Sequence, residues 1–165
     1  MLRERRILSS SKIDKHEKML KHKLNVEPKV YYGKAARKEM GKYPTKNLKW
    51  KKANGFYNPP LNEVYIFKLL SVDSIIGILA HELRHVYQLE HKKKDFTFHY
   101  DWYGENNFDP FYLCRKTELD ANEFAYQYCL ENELKNNVTE HYLKKKNKWI
   151  KTREKHKRKN LHSCP

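Results

Sequence analysis

His81-Glu82-Leu83-Arg84-His85 sets two imidazoles four residues apart, with a carboxylate beside the first. On a helix, positions i and i+4 share a face about one turn apart. Two neutral imidazoles so placed can hold one Zn2+ ion. Glu82 between them can act as general base on a zinc-bound water. A zinc ion that keeps one position open for water needs a third protein ligand. Three residues are candidates for it: His91, Glu118 and Asp120.

His91 completes the histidine spacing of the metzincins, but that family turns its chain with a glycine where this one has Gln88. If the helix simply continues, His91 lies about 80° from His81 around the axis and too far along it to share an ion. Glu118 lies in Glu118-Leu119-Asp120-Ala121-Asn122-Glu123-Phe124-Ala125. Glu118 and Asn122 share a helical face there, and Ala121 and Ala125 are small enough to let two helices approach closely. Asp120 points away from that face.

An H-E-L-x-H helix followed by an E-x-x-A-[ND]-x-F-A helix resembles the gluzincin pattern, as in small ImmA/IrrE-like zinc metallopeptidases and in HtpX-like membrane members. The resemblance implies that Glu118 is the third zinc ligand and that Asn122 supports a ligand histidine from behind. It covers about residues 55–130, because 55–66 is similar to the strand pair that precedes the motif helix in such proteins. In that fold an edge strand beside the zinc can pair with an extended peptide. The implied activity is hydrolysis of peptide bonds in a specific protein substrate, such as a repressor or other regulatory protein. This chain departs from the pattern at Asn122, where many relatives have Asp, and in an aromatic loop between the two helices.

The elements that must position these residues are legible in outline. Ser71-Val72-Asp73-Ser74 offers helix caps, and the apolar run 75–80 predicts a largely buried helix reaching His91 or Lys92. Asp109-Pro110 is a good helix start, with apolar points at Phe111, Leu119, Phe124, Ala125, Tyr128 and Cys129 carrying that helix to Glu133. Residues 55–57 and 63–67 read as a hairpin turning at Asn58-Pro59-Pro60, residues 26–32 as a short strand, and residues 34–42 as a helical turn or loop. Residues 1–25 and 139–157 read as basic helices. The expectation is an α+β fold: a small antiparallel sheet packed on the motif helix and a second ligand helix. The division is a basic helical extension (1–25), a zinc metallopeptidase-like domain (26–134) and a basic C-terminal helix and tail (135–165). His99, Tyr103 and Tyr112 are candidates to stabilise an oxyanion, and Arg84 reads as an ion-pair or surface residue.

With 165 residues, 39% of them hydrophobic, the chain is long enough for one domain with a core, much of it supplied by 12 tyrosines and 7 phenylalanines. No apolar run approaches the roughly 20 residues that span a bilayer, and residues 1–18 lack the apolar stretch of a secretory signal. Cytoplasmic residence is the resulting expectation. Three cysteines, Cys114, Cys129 and Cys164, form no C-x-x-C and argue against a disulfide framework. The net charge of +15 is uneven: residues 71–134 carry 6 Lys/Arg and 12 Asp/Glu, whereas 135–165 carry 11 and 2. Basic flanks of this kind suit nucleic acid, acidic proteins or an anionic membrane surface, or serve only as solvated faces. A rival reading is therefore a nucleic-acid-associated, SprT-like peptidase, with Trp50 and Trp149 among the lysines. Another is a non-catalytic module with structural zinc, but such sites are usually closed by four protein ligands.

Overall fold

The computed structural model describes residues 2–42, 53–67, 71–92, 116–135, 148, 150 and 151. Its elements are α1 (Leu2–Leu24), β1 (Lys29–Tyr32), α2 (Gly33–Met40), β2 (Gly55–Asn58), β3 (Glu63–Ile66), α3 (Val72–His91) and α4 (Lys116–Glu131). The α+β class expected from the pattern is the one observed. The expected helix over 139–157 is described only at 148, 150 and 151, which are helical. The start of the second ligand helix at 109–115, the aromatic loop, Trp50, Trp149, Cys114 and Cys164 lie outside the described residues.

The sheet is mixed, not antiparallel as expected. Its strand order is β1-β3-β2. β2 and β3 form the anticipated antiparallel hairpin, with Tyr57 opposite Val64. A short 3-10 turn over Pro59–Leu61 joins them, followed by Asn62 in the left-handed region at φ 49, a conformation asparagine tolerates better than most residues. β1 runs parallel to β3, with Val30 opposite Val64. The reason is the segment 34–42. Residues 34–40 belong to α2 rather than to a loop, so the chain leaves β1 through a helix and not a tight turn.

β3 is the central strand, and all four of its residues are buried. Its two-residue period sends Val64 and Ile66 to one face and Tyr65 to the other. On the first face they join the main core with Ile75, Ile76, Leu79, Leu83 and Val86 of α3 and Tyr128 and Cys129 of α4. On the second, Tyr65 and Phe67 pack with Ala36 and Met40 against α2. Tyr65 stacks between Tyr31 and Phe67, at ring separations of 5.5 and 6.2 Å. Aromatic layers thus do the packing that branched aliphatic residues do in most sheets. The hydroxyls of Tyr31 and Tyr65 both donate to the buried Glu63.

α3 is capped by Ser71, whose Oγ accepts the Ser74 N–H at 3.3 Å. It runs uninterrupted through Gln88 to His91, as the absence of a glycine there predicts. α1, expected as an extension, belongs to the same core. Its Leu20 and Leu24 are buried with α3, and Lys12 Nζ pairs with Asp73 Oδ1 at 2.7 Å. His16 Nδ1 lies 2.8 Å from the Tyr128 hydroxyl of α4.

Burial, followed by the charges of Lys12 and Lys15, holds the His16 pKa below its ordinary 6.5, against the opposing pull of Asp73. The unfolded chain therefore binds this proton more readily than the folded one. The contribution of His16 to stability is lost as pH falls below about 6.5. Replacing it with a neutral ring, His16→Phe, should flatten the acid limb of urea-unfolding stability between about pH 7 and 5. An unchanged slope would assign that limb to other groups.

Candidate metal centre

α3 presents His81 and His85 on one face, and α4 brings Glu118 against them. The two Nε2 atoms lie 3.1 Å apart. Glu118 Oε2 is 3.4 Å from His81 Nε2, and its Oε1 is 3.3 Å from His85 Nε2. Ligands about 2.05 Å from a tetrahedral zinc stand about 3.3 Å from one another. The three side chains therefore have the spacing, and the nitrogen and oxygen donor chemistry, that such an ion requires. They can hold a metal ion, and they are the group of three or more such residues that converges among the described residues. Ala121 and Ala125 of α4 are both buried, in keeping with the small-residue spacing.

Glu82 is sealed beneath this group. It is only 8% exposed, and its carboxylate accepts the main-chain N–H of Tyr57. The sheet sets that contact. Asn54 O accepts the Phe67 N–H at 2.9 Å, so the antiparallel alternation turns the main-chain groups of Gly55 and Tyr57 away from β3. The strand beside the site with an outward-facing edge is therefore β2, while β3 is paired on both sides. Gly55 is where α3 crosses it. A Cβ there would fall 2.6 Å from Ile78 Cγ2, 2.8 Å from Glu82 Oε1 and 2.9 Å from Glu82 Cγ. Only a residue without a side chain lets the helix come so close.

Behind His85 lies a polar chain. Gln88 is fully buried, with Oε1 2.9 Å from His85 Nδ1. Its Nε2 donates to the Thr117 carbonyl at 2.9 Å and to Asp120 Oδ2 at 2.7 Å. Asp120 in turn takes a two-pronged pair from Arg84, at 2.7 Å from Nε and 3.0 Å from Nη2. The Arg84 guanidinium lies over the rings of Tyr87 and Phe124, 4.5 and 5.2 Å from their centroids. Arg84 is thus an ion-pair residue as expected, and Asp120 faces it rather than the metal ligands.

Asn122 does not stand behind a histidine. Its Nδ2 donates to the main-chain carbonyl of Glu118 at 2.8 Å, folding back one turn on its own helix. Gln88 occupies the supporting position for His85. His91 is remote from the centre and bonds the Asn25 carbonyl at 3.0 Å. His99, Tyr103 and Tyr112 lie outside the described residues. The sequence reading missed Gln88 and Gly55. Gln88 carried a signal, being a polar residue three positions after His85 in a buried helix, and Gly55 carried another as a glycine inside a strand pattern.

Comparison with protein-family models, curated proteins and solved structures yields no match.

Charges in the centre are strongly coupled. Burial alone would raise the Glu118 pKa, but the charge of His85 and hydrogen bonds from both histidines hold it well below the ordinary carboxylate range. Burial would lower His85. Glu118 outweighs it by charge and hydrogen bond, aided by Glu82 and Gln88, and His85 is pushed up to about 9. Glu82 is raised by burial and by Glu118, against the pull of both imidazoles and the Tyr57 N–H.

In the metal-free protein the His85 contribution to stability is therefore complete below about pH 6.5 and lost as pH rises through about 9. An imidazole nitrogen binds a metal only when it carries no proton, so a zinc ion bound here would have to displace that proton. Zinc titration at pH 7, in buffers of different ionisation heat, should release about one proton from His85 per ion bound. The release should fade as pH approaches 10. A release independent of pH would contradict the assignment.

Proposed function

We propose that the protein is a zinc-dependent metallopeptidase of the gluzincin kind, cleaving peptide bonds in a specific protein substrate. The observation that carries this reading is the convergence of His81, His85 and Glu118 from two helices, with Glu82 buried beside them against β2. A closed structural site would need a fourth protein ligand, and none converges with these three among the described residues.

When bound by these three side chains, zinc supplies a Lewis acid that polarises a carbonyl and brings the pKa of a bound water to about 7. The remaining work falls to the chain. Glu82 takes a proton onto its carboxylate and passes it to the leaving nitrogen. Burial raises the Glu82 pKa, which makes its carboxylate a stronger base for the first step. The Tyr57 N–H fixes that carboxylate in orientation, and the close approach at Gly55 sets its distance from the strand. His85 is held by Gln88, and Glu118 by its place in the first turn of α4.

An extended peptide has an edge to join. The outward-facing main chain of β2 at Gly55 lies beside Glu82, so adding a strand there brings a peptide bond to the base. A repressor or other regulatory protein with an extended segment is the kind of substrate this suits. No described helix is long and apolar enough to cross a membrane. A cytoplasmic setting is part of the same proposal, in keeping with the buried free thiol of Cys129.

Purified protein should contain zinc in near-stoichiometric amount by elemental mass spectrometry, and His81→Ala should lose it. Glu82→Gln should keep the metal while cleavage of a proteome-derived peptide library falls roughly 100-fold or more. Zinc-free native protein, or full activity in Glu82→Gln, would sink the proposal. Gly55→Ala should also retain zinc. By displacing Glu82 it should reduce turnover by roughly 100-fold, the scale of a 1 Å misplacement, with little change in KM.

A further inference from the structure

We propose that Arg84, Asp120 and Gln88 form a positioning relay that fixes the His85 proton on Nδ1 and thereby turns the Nε2 lone pair toward the metal position. The inference rests on the metal-centre reading of His81, His85 and Glu118, and it deepens that reading by assigning a role to residues that touch no substrate.

The logic is one of donors and acceptors. An imidazole has two nitrogens, and only the one without a proton can hold a metal. An amide such as Gln88 can offer His85 either its oxygen or its NH2 group. Two neighbours decide which. The Thr117 carbonyl, at 2.9 Å, and Asp120 Oδ2, at 2.7 Å, only accept hydrogen bonds. Both must therefore face the NH2 group, so Oε1 is left to face His85 Nδ1 at 2.9 Å. An amide oxygen only accepts, so Nδ1 must carry the proton. Nε2 then points at His81 Nε2 and Glu118 Oε1, 3.1 and 3.3 Å away.

Asp120 adds a charged acceptor to the Thr117 carbonyl in giving the relay its direction, and Arg84 holds Asp120 in place through two hydrogen bonds. Gln88 is fully buried, so no water can substitute for either acceptor. A carboxylate behind His85 would do the same job more directly. Here it would add another negative charge beside Glu118 and Glu82, and the neutral amide avoids that while still transmitting the polarity of Asp120. The relay also crosses from α3 to α4. The contact that orients one ligand thus helps to hold the helix that carries another.

The test reads the proton itself. In 15N-histidine-labelled metal-free protein, made alkaline enough to leave the imidazole neutral, nitrogen NMR shifts should place the His85 proton on Nδ1. In Gln88→Met the acceptor that faces Nδ1 is gone. His85 should then become a mixture of tautomers, and zinc affinity by chelator competition should fall roughly 10–100-fold. Asp120→Asn leaves the Thr117 carbonyl facing the Gln88 NH2 group, so it should keep the proton on Nδ1 and weaken zinc by a smaller factor. A proton on Nε2 in the wild type overturns the proposal. So does an unchanged tautomer in Gln88→Met, even with weaker zinc binding, because that is what a contact merely clamping two helices would give. Neither measurement uses turnover, so an inactive but zinc-binding protein would refute the peptidase reading and leave the relay standing.

Discussion

Everything near the centre of this fold answers to one demand: Glu82, His85 and Glu118 are ionisable groups buried among packed helices and sheet. An isolated charge in such a place costs several kcal/mol. The chain meets the demand by concentrating opposite charges and by giving each buried group a partner on another element. Glu118 faces both imidazoles, Glu82 takes a main-chain N–H from the sheet, and His85 backs onto Gln88. α3, α4 and β2 are therefore joined through polar contacts as well as apolar ones. Among the described residues no buried side-chain nitrogen or oxygen lacks a hydrogen-bond partner.

The rest of the architecture supplies the rigidity this arrangement needs. β3 is covered on both faces, by α3 on one side and by α2 with its aromatic layer on the other. That fixes the plane against which α3 can lie. α1 closes the far side of α3, reaching its first turn through Lys12 and Asp73 and α4 through His16 and Tyr128. Asp73 also accepts the Lys135 N–H at 2.9 Å, just beyond α4. The start of the motif helix is thus tied to segments that precede and follow it in the chain, and an isolated motif-and-sheet core would lack both α1 and α4.

Much of this could be read from residue order, for identifiable reasons. The motif helix was legible because its caps, its apolar run and its pair of histidines all agree on one period. Glu118 was singled out by the resemblance of residues 118–125 to the second gluzincin helix, and Ala121 and Ala125 agreed with it by marking a close helix contact on the same stretch. The parallel pairing of β1 was not, since four residues of strand carry no sign of their partner's direction and segment 34–42 is ambiguous between helix and loop. Gln88 and Asn122 show the sharper limit. Both are polar and both lie on ligand-bearing helices. Gln88 reaches His85 within α3, three positions on, whereas whether Asn122 reaches a histidine depends on a rotation of α4 relative to α3 that sequence spacing does not encode. Gly55 was visible only as a break in a strand, because the group that requires it, Glu82, arrives from 27 positions later in the chain.

Tyr57 joins two kinds of stability that are usually separate. Its ring belongs to the main core, while its main-chain N–H, on an edge strand, holds Glu82. Edge strands open at lower free energy than the core they flank. A fluctuation that peels β2 from α3 would leave α3 and α4 packed on each other with His81, His85 and Glu118 in place, yet it would release the Glu82 carboxylate from its main-chain partner. On the proposed reading of Glu82 as the base, competence would therefore follow a local equilibrium at the sheet margin, and thermal stability would be a poor proxy for it.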